Sequence, residues 1–177
     1  SREVIPISSR IKEMLIYILV FIVAFIYYIL SRKNSFLRKS SVALGFFFLY
    51  VALFVGLGDM IGGYDRYIYG EVFDTIADEI QHTSSPNINK IIYLVGGKEY
   101  GYFFWQILIS YITQNRYIFI LITTIAIYVL FFLAFKEYLD DYPLACIVFL
   151  GLLYYFSMTY LRQVIGVGFT FLSVKYI

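Results

Sequence analysis

Long stretches without a charged residue alternate with short charged connections along this chain. Crossing the apolar core of a bilayer takes roughly 20 residues of helix, range about 17–25. Residues 14–30 form the first stretch of that length, with Lys12 and Glu13 before it and Arg32 and Lys33 after it. Residues 41–58, 117–135 and 142–161 form the next three. A fifth apolar stretch, 163–177, is too short to cross if it stops there, so the expectation is a fragment truncated inside a helix. Each stretch is expected to be helical, because backbone groups in hydrocarbon must find partners within their own segment. A β-barrel strand would alternate in polarity, and runs such as FFFLYVALF do not.

One long connection, 59–116, separates the second and third spans. Within it, Ile68, Val72, Ile76 and Ile80 recur every fourth residue, with Glu71, Asp74, Asp78 and Glu79 between them. That spacing predicts an amphipathic helix. The TSSPN run around Pro86 predicts a turn. Residues 100–112 are apolar yet too short to span, which predicts an interfacial or re-entrant helix with Trp105 at headgroup level. The predicted fold is an all-α polytopic transmembrane bundle: one integral membrane domain, 1–177, with a long extracytoplasmic loop carrying amphipathic and interfacial helices.

Composition agrees with the pattern. Apolar residues make up 61% and charged residues 15%, against about 45–50% and 25% in soluble domains, and the mean hydropathy is +0.77. A net charge of +2 is too small to imply a nucleic-acid partner. Cys146, the single cysteine, permits no internal disulfide and reads as a small packing residue. No signal-peptide cleavage pattern follows the first apolar run. Arg32, Lys33, Arg38 and Lys39 crowd one short loop, which the positive-inside rule places in the cytoplasm. The 59–116 segment is then outside, with the site on the extracytoplasmic face of a bacterial cytoplasmic (inner) membrane.

Four polar sets stand out on the apolar background: the Gly62-Gly63-Tyr64-Asp65-Arg66 run, Tyr67 with Tyr69, the Lys98-Glu99-Tyr100-Gly101 run, and Arg162-Gln163. The expected topology puts all four on one side of the membrane. An arginine beside apolar helices is costly and generally has a partner or a polar cavity, and its planar fork suits phosphate or carboxylate. The competing reading of Arg162 is a span end that snorkels to headgroups. Asp65 and Arg66 read equally as ordinary loop charges, and Glu99 as a carboxylate on a helix dipole. His82 has no ligand cluster around it, so no metal is expected. Gly166 and Gly168 read as a close helix contact rather than a ligand loop.

At these positions the sequence resembles the EpsG family, among the Wzy-like polysaccharide polymerases. The resemblance rests on Gly63-Tyr64-Asp65 with Tyr69 and Phe73, then Glu99-Tyr100-Gly101-Tyr102-Phe103, a long span from Tyr117, and Arg162-Gln163-Val164-Ile165-Gly166. It covers roughly residue 58 to the end. Arg66 stands where the family more often has Thr or Tyr. The resemblance implies a glycosyltransferase that joins repeat units carried on polyprenyl diphosphate into exopolysaccharide or capsule. It implies catalytic roles for Asp65 or Glu99 as general base and for Arg162 on the diphosphate. Substrate contacts would fall to Tyr64, Arg66, Tyr69, Tyr100 and Gln163. No cofactor or metal is implied, because the leaving group is already a lipid diphosphate. The implied partners are the polyprenyl-diphosphate-linked oligosaccharide, membrane lipid and other polysaccharide assembly proteins. The alternatives are a non-enzymatic exporter or flippase component and a structural membrane subunit.

Overall fold

The computed structural model describes residues 7–58, 64–82 and 100–177. The described residues are helical almost throughout. Helix α1 is Ile7–Lys33, a short α2 is Ser35–Arg38, and α3 is Ser41–Leu57. Helix α4 is Tyr64–His82 and α5 is Tyr100–Ser110. Helix α6 is Arg116–Tyr138, α7 is Tyr142–Thr159, and α8 is Leu161–Ser173 with a terminal 3₁₀ turn at Val174–Tyr176. Two of these, α6 and α7, are long and apolar enough to cross a membrane, while α3 and α8 are apolar but shorter.

Local chemistry sets the boundaries. Ser40 caps α3 by accepting from the Ala43 N–H, Asn115 caps α6 through the Tyr117 N–H, and Asp141 caps α7 through the Leu144 N–H. Each satisfies an amide that the first helical turn leaves without an acceptor. Helix α7 widens to π-helical geometry at Leu150–Tyr154 and ends at Thr159, because Tyr160 leaves helical conformation at φ −108°, ψ 59°. That break starts α8 afresh one residue before Arg162.

The packing directions follow from specific contacts. Gly45 faces Phe132 and Gly56 faces Leu121, so α3 and α6 run antiparallel. Gly168 faces Leu130 and the Tyr138 hydroxyl donates to the Leu172 carbonyl at 2.8 Å, so α8 runs alongside α6 in the same direction. Tyr17 meets Tyr154 edge-on at 5.9 Å, and Arg32 pairs with Asp141 at 2.9 Å, so α1 and α7 are antiparallel. Lys39 pairs with Asp140. The basic loop after α1 and the acidic loop before α7 therefore share one end of the helices. Gly58 and Arg116 lie at the other, and Arg162 stands part-way down, beside the middle of α6.

The core is a stack of aromatic rings. Phe48 meets Tyr128, Phe135 and Phe149 with centroids 5.4–6.1 Å apart, and Phe131 meets Phe149 at 4.9 Å. Offset and edge-on pairs of this kind contribute about 0.5–1.5 kcal/mol each beyond their burial. Cys146 is fully buried among them, as its apolar run implies. Inside this core a short polar chain is satisfied. The Ser157 hydroxyl donates to the Tyr154 carbonyl at 2.7 Å. Its one hydrogen is thereby used, so the Tyr128 hydroxyl is the donor across the 2.7 Å contact between the two side chains.

Helix α4 confirms the helix expected in the long connection and most of its apolar face: Ile76 is fully buried and Val72 and Ile80 pack beside it, while Ile68 is 40% exposed. Phe73 and Ala77 widen the inner face, and the Phe73 ring stacks flat on Phe119 of α6, centroids 4.2 Å apart. Helix α5, with 11 residues, is roughly 16 Å long at 1.5 Å per residue and does not span. Trp105 donates its indole N–H to Thr123 Oγ1 of α6 at 3.0 Å.

Candidate functional site

The residues singled out in the sequence fall into three groups. Tyr64 and Asp65 open α4, with side chains outside the described residues, and Glu99 with the rest of 83–99 lies outside them as well. Tyr100 is exposed at the start of α5, and Gln163 is exposed in the first turn of α8, where its N–H donates to the Tyr160 carbonyl at 3.0 Å. The third group, Arg66, Tyr69 and Arg162, is built into the interior or its walls.

Arg66 is 2% exposed. Its Nη2 donates to the Val55 carbonyl at 2.7 Å and the Gly56 carbonyl at 3.3 Å. The last carbonyls of a helix have no intrahelical donor and carry the negative end of its dipole. Arg66 therefore ties the start of α4 to the end of α3. Tyr69 is half-buried and packs edge-on against Tyr102 of α5, centroids 5.6 Å apart.

Arg162 occupies the first turn of α8, where the helix dipole is positive. Its side chain is half-buried and lines a groove of about 690 Å³ between three helices. Gly101, Tyr102, Phe104, Trp105 and Leu108 supply the α5 wall. Ala126, Val129 and Leu130 supply the α6 wall, and Ile165, Gly166 and Phe169 continue α8 below the arginine. The glycines shape the groove. A Cβ on Gly168 would stand 3.0 Å from the Leu130 Cβ, so the absent side chain lets α8 close on α6 there. Gly101 and Gly166 have nothing within 4 Å of that position and leave the groove open. The two glycines expected to act together thus divide: Gly168 makes the close contact, and Gly166 makes the space.

Tyr102 is the wall residue that the sequence reading passed over as a role-bearing group. Burial pushes its phenol pKa up, the nearby Tyr69 adds to this, and the charge of Arg162 opposes both. The phenol therefore stays protonated and available as a donor beside the guanidinium. Its hydroxyl and the Gln106 amide nitrogen are buried and have no hydrogen-bond partner among the described residues. They are four apart on α5 and so share a face. The visible signal was Gln106, the one amide inside the apolar run YGYFFWQILIS.

A second cavity, about 330 Å³, lies between the end of α3, the start of α4 and the start of α6. Arg66 and Arg116 line it with Tyr67 and Tyr117. Arg116 pairs with Asp74 at 3.4 Å. Partial burial holds the Asp74 carboxyl above its ordinary pKa; Arg116 pulls it down, and Asp78 and Glu71 add upward pressure. Arg162 and Arg66 thus stand in the walls of separate cavities.

The profile of the EpsG family matches residues 42–177 of the chain. Comparison with curated proteins and with solved structures found no match.

Proposed function

Because the chain belongs to the EpsG family, whose membership points to a polysaccharide polymerase-like membrane protein, we propose that it is a glycosyltransferase joining polyprenyl-diphosphate-linked repeat units into exopolysaccharide or capsule at the extracytoplasmic face. One observation carries the reading: a single guanidinium in the wall of an otherwise largely apolar groove between α5, α6 and α8. That combination matches a ligand with an anionic head and an apolar tail. A hydrated glycan passing through an exporter would need polar walls along its whole path, and the walls below Arg162 are apolar.

In this scheme the polyprenyl chain lies in the groove and its diphosphate rests against Arg162, near the positive end of the α8 dipole. An acceptor sugar hydroxyl attacks the anomeric carbon of the donor. The bond from that carbon to the diphosphate oxygen breaks, and polyprenyl diphosphate leaves with the electron pair. Arg162 stabilises the growing charge on the leaving oxygen, and the Tyr102 phenol is placed to donate a second hydrogen bond. The hydroxyl proton passes to a carboxylate, assigned here to Asp65 or Glu99. Tyr64, Tyr69, Tyr100, Arg66 and Gln163 are assigned to holding sugar and headgroup.

The test is Arg162→Ala beside Arg162→Lys, with polymer formed by membranes containing the protein as readout. A bidentate grip on diphosphate needs the planar fork, so both variants are expected to lose about 100- to 1,000-fold in rate with insertion unchanged. A side chain that merely snorkels to headgroups is replaceable by lysine. Normal polymer yield from Arg162→Lys refutes the assignment.

A further inference from the structure

The end of the bundle opposite Gly58 and Arg116 carries charges that the lipid-diphosphate scheme does not use. Four basic residues lie in the connection from α1 to α3, and two of them are committed to the fold. Arg32 pairs with Asp141 at 2.9 Å and lies 4.5 Å from the Tyr28 ring centroid; Lys39 pairs with Asp140 at 2.6 Å. Lys33 is exposed and Arg38 half-buried, and neither has an ion pair or hydrogen bond among the described residues. The Arg38 Nε is itself buried without an acceptor. The connection is held in shape: Asn34 caps α2 through the Phe36 N–H at 3.0 Å, and the Tyr27 hydroxyl donates to the Leu37 carbonyl at 3.3 Å. Phe36, between the two uncommitted cations, is 76% exposed. A groove of about 440 Å³ between α6, α7 and α8 reaches this end. Phe135, Leu144, Val148, Leu152 and Phe171 line it, and it meets the acidic loop at Asp140 and Asp141. Lys39 holds the Asp140 carboxyl below its ordinary pKa by hydrogen bond and charge, and Arg38 adds to this by charge. Arg38 therefore stands beside the groove's charged end.

We infer that this end is a binding site for an anionic phospholipid, with an acyl chain in the groove between α6, α7 and α8 and the headgroup phosphate against Arg38, in the field of Lys33. The charges at this end are Arg32, Lys33, Arg38, Lys39 and Lys136 against Glu137, Asp140 and Asp141 among the described residues. Both loop carboxylates already face a cation, so an arriving anion meets the two that do not. A buried donor without an acceptor is costly, and a phosphate oxygen supplies that acceptor in the planar geometry a guanidinium prefers. Each basic side chain near a membrane surface strengthens attraction to anionic lipid about fivefold. A zwitterionic headgroup brings its own cation, which the same two residues repel. The groove contributes the other half of the recognition. Leu144, Val148 and Leu152 are exposed on α7 and extend the apolar wall roughly 12 Å along the helix at 1.5 Å per residue. Phe36 enters the interface beside the headgroup. The site needs neither Arg162 nor polymer synthesis.

The experiment is native mass spectrometry of the detergent-purified protein exposed to an equimolar mixture of phosphatidylglycerol and phosphatidylcholine with identical acyl chains, and separately to glycerol 1-phosphate. Phosphatidylglycerol is expected to be retained about tenfold or more over phosphatidylcholine, and glycerol 1-phosphate, which lacks the chain, far less than either. Arg38→Gln should lower the ratio of the two lipids about fivefold. Asp140→Asn, at an exposed carboxylate, should raise it about two- to fivefold by releasing Lys39. Val148→Trp fills the groove and should lower retention of both lipids by the same factor, leaving the ratio unchanged. The opposite signs at Arg38 and Asp140 separate a headgroup effect from misfolding. Phosphatidylcholine retained as well as phosphatidylglycerol overturns the proposal, as does an unchanged ratio in Arg38→Gln or a ratio that falls in Asp140→Asn. Glycerol 1-phosphate bound as tightly as the lipid would make this a free phosphate site and overturn it too. Undiminished lipid retention in Val148→Trp removes the groove as the seat of the chain and refutes the site as drawn.

Discussion

Gly166 and Gly168 lie two residues apart on α8, and the structure gives them opposite tolerances. A Cβ on Gly168 meets the Leu130 Cβ at 3.0 Å and its Cδ1 at 3.1 Å. Leucine there forces α8 away from α6, and overpacking of this kind costs about 1–3 kcal/mol. At Gly166 the same Cβ meets nothing within 4 Å, so Gly166→Leu introduces no clash and removes a residue that weakens a helix interior by about 0.5–1 kcal/mol relative to alanine. The helix gain is common to both variants, so they should differ in stability by about 1–3 kcal/mol, with Gly166→Leu the more stable. Function should follow the reverse logic. Leucine at 166 projects into the groove one turn below Arg162 and obstructs the path of the lipid. A 1 Å displacement of a bound group costs about 100-fold in rate, so Gly166→Leu is expected to reduce polymer formation on that scale while folding normally. The assay pairs thermal unfolding in detergent with polymer yield and with affinity for a short-chain prenyl diphosphate. A Gly166→Leu protein of native activity and prenyl-diphosphate affinity refutes the groove as the lipid site. A Gly168→Leu protein as stable as the parent refutes the packing argument.

Two other outcomes follow from the same contacts. With Cys146 replaced by alanine, a membrane-impermeant thiol reagent applied from outside should label Ser84→Cys and spare Ser35→Cys; the reverse pattern would place the Arg162 groove on the cytoplasmic face. Inside the core, Tyr128→Phe should cost about 0.5–1.5 kcal/mol for one lost hydrogen bond, and Ser157→Ala about 1–3 kcal/mol because it leaves the Tyr128 hydroxyl buried without an acceptor; thermal denaturation showing Tyr128→Phe to be the worse variant would contradict the assigned donor direction.

Helix positions were legible because the lipid-crossing requirement imprints directly on the chain. The charge-free stretch at 117–135 became α6, three residues longer at its C-terminal end because Lys136, Glu137 and Tyr138 still satisfy backbone bonds in the helix. The stretch at 142–161 became α7 followed by a break at Tyr160 that no apolar count reveals, since Met158, Tyr160 and Leu161 are equally at home on either side of it. Helix faces were not legible. In FFF at 46–48, Phe46 is 69% exposed, Phe47 5% and Phe48 2%. Lipid tails are as apolar as a packed interior, so nothing in residue type marks which phenylalanine turns inward. In α4 the expected stripe turns inward at Val72, Ile76 and Ile80, but the flat stack of Phe73 on Phe119 beside it is a contact that no spacing announces.

The same physics explains which parts of the candidate site could be read. A charge in an apolar setting is conspicuous at any depth, so Arg162 stood out by itself, and its company is what the fold had to supply. The α5 and α6 walls of its groove are Gly101 to Leu108 and Ala126 to Leu130, residues indistinguishable by type from lipid-facing ones. Arg66 shows the converse. Its neighbours in sequence mark it as substrate-binding, and in the fold its guanidinium also closes the end of α3, a contact hidden in the sequence because the carbonyls that need a donor lie ten and eleven residues away. Arg116 was read only as the edge of a span. It becomes part of a cavity wall once α4 folds back to bring Tyr67, Gly70 and Asp74 against it. In a membrane protein, then, charge identifies the residues that need an explanation, and the packing of otherwise uninformative apolar helices decides what the explanation is.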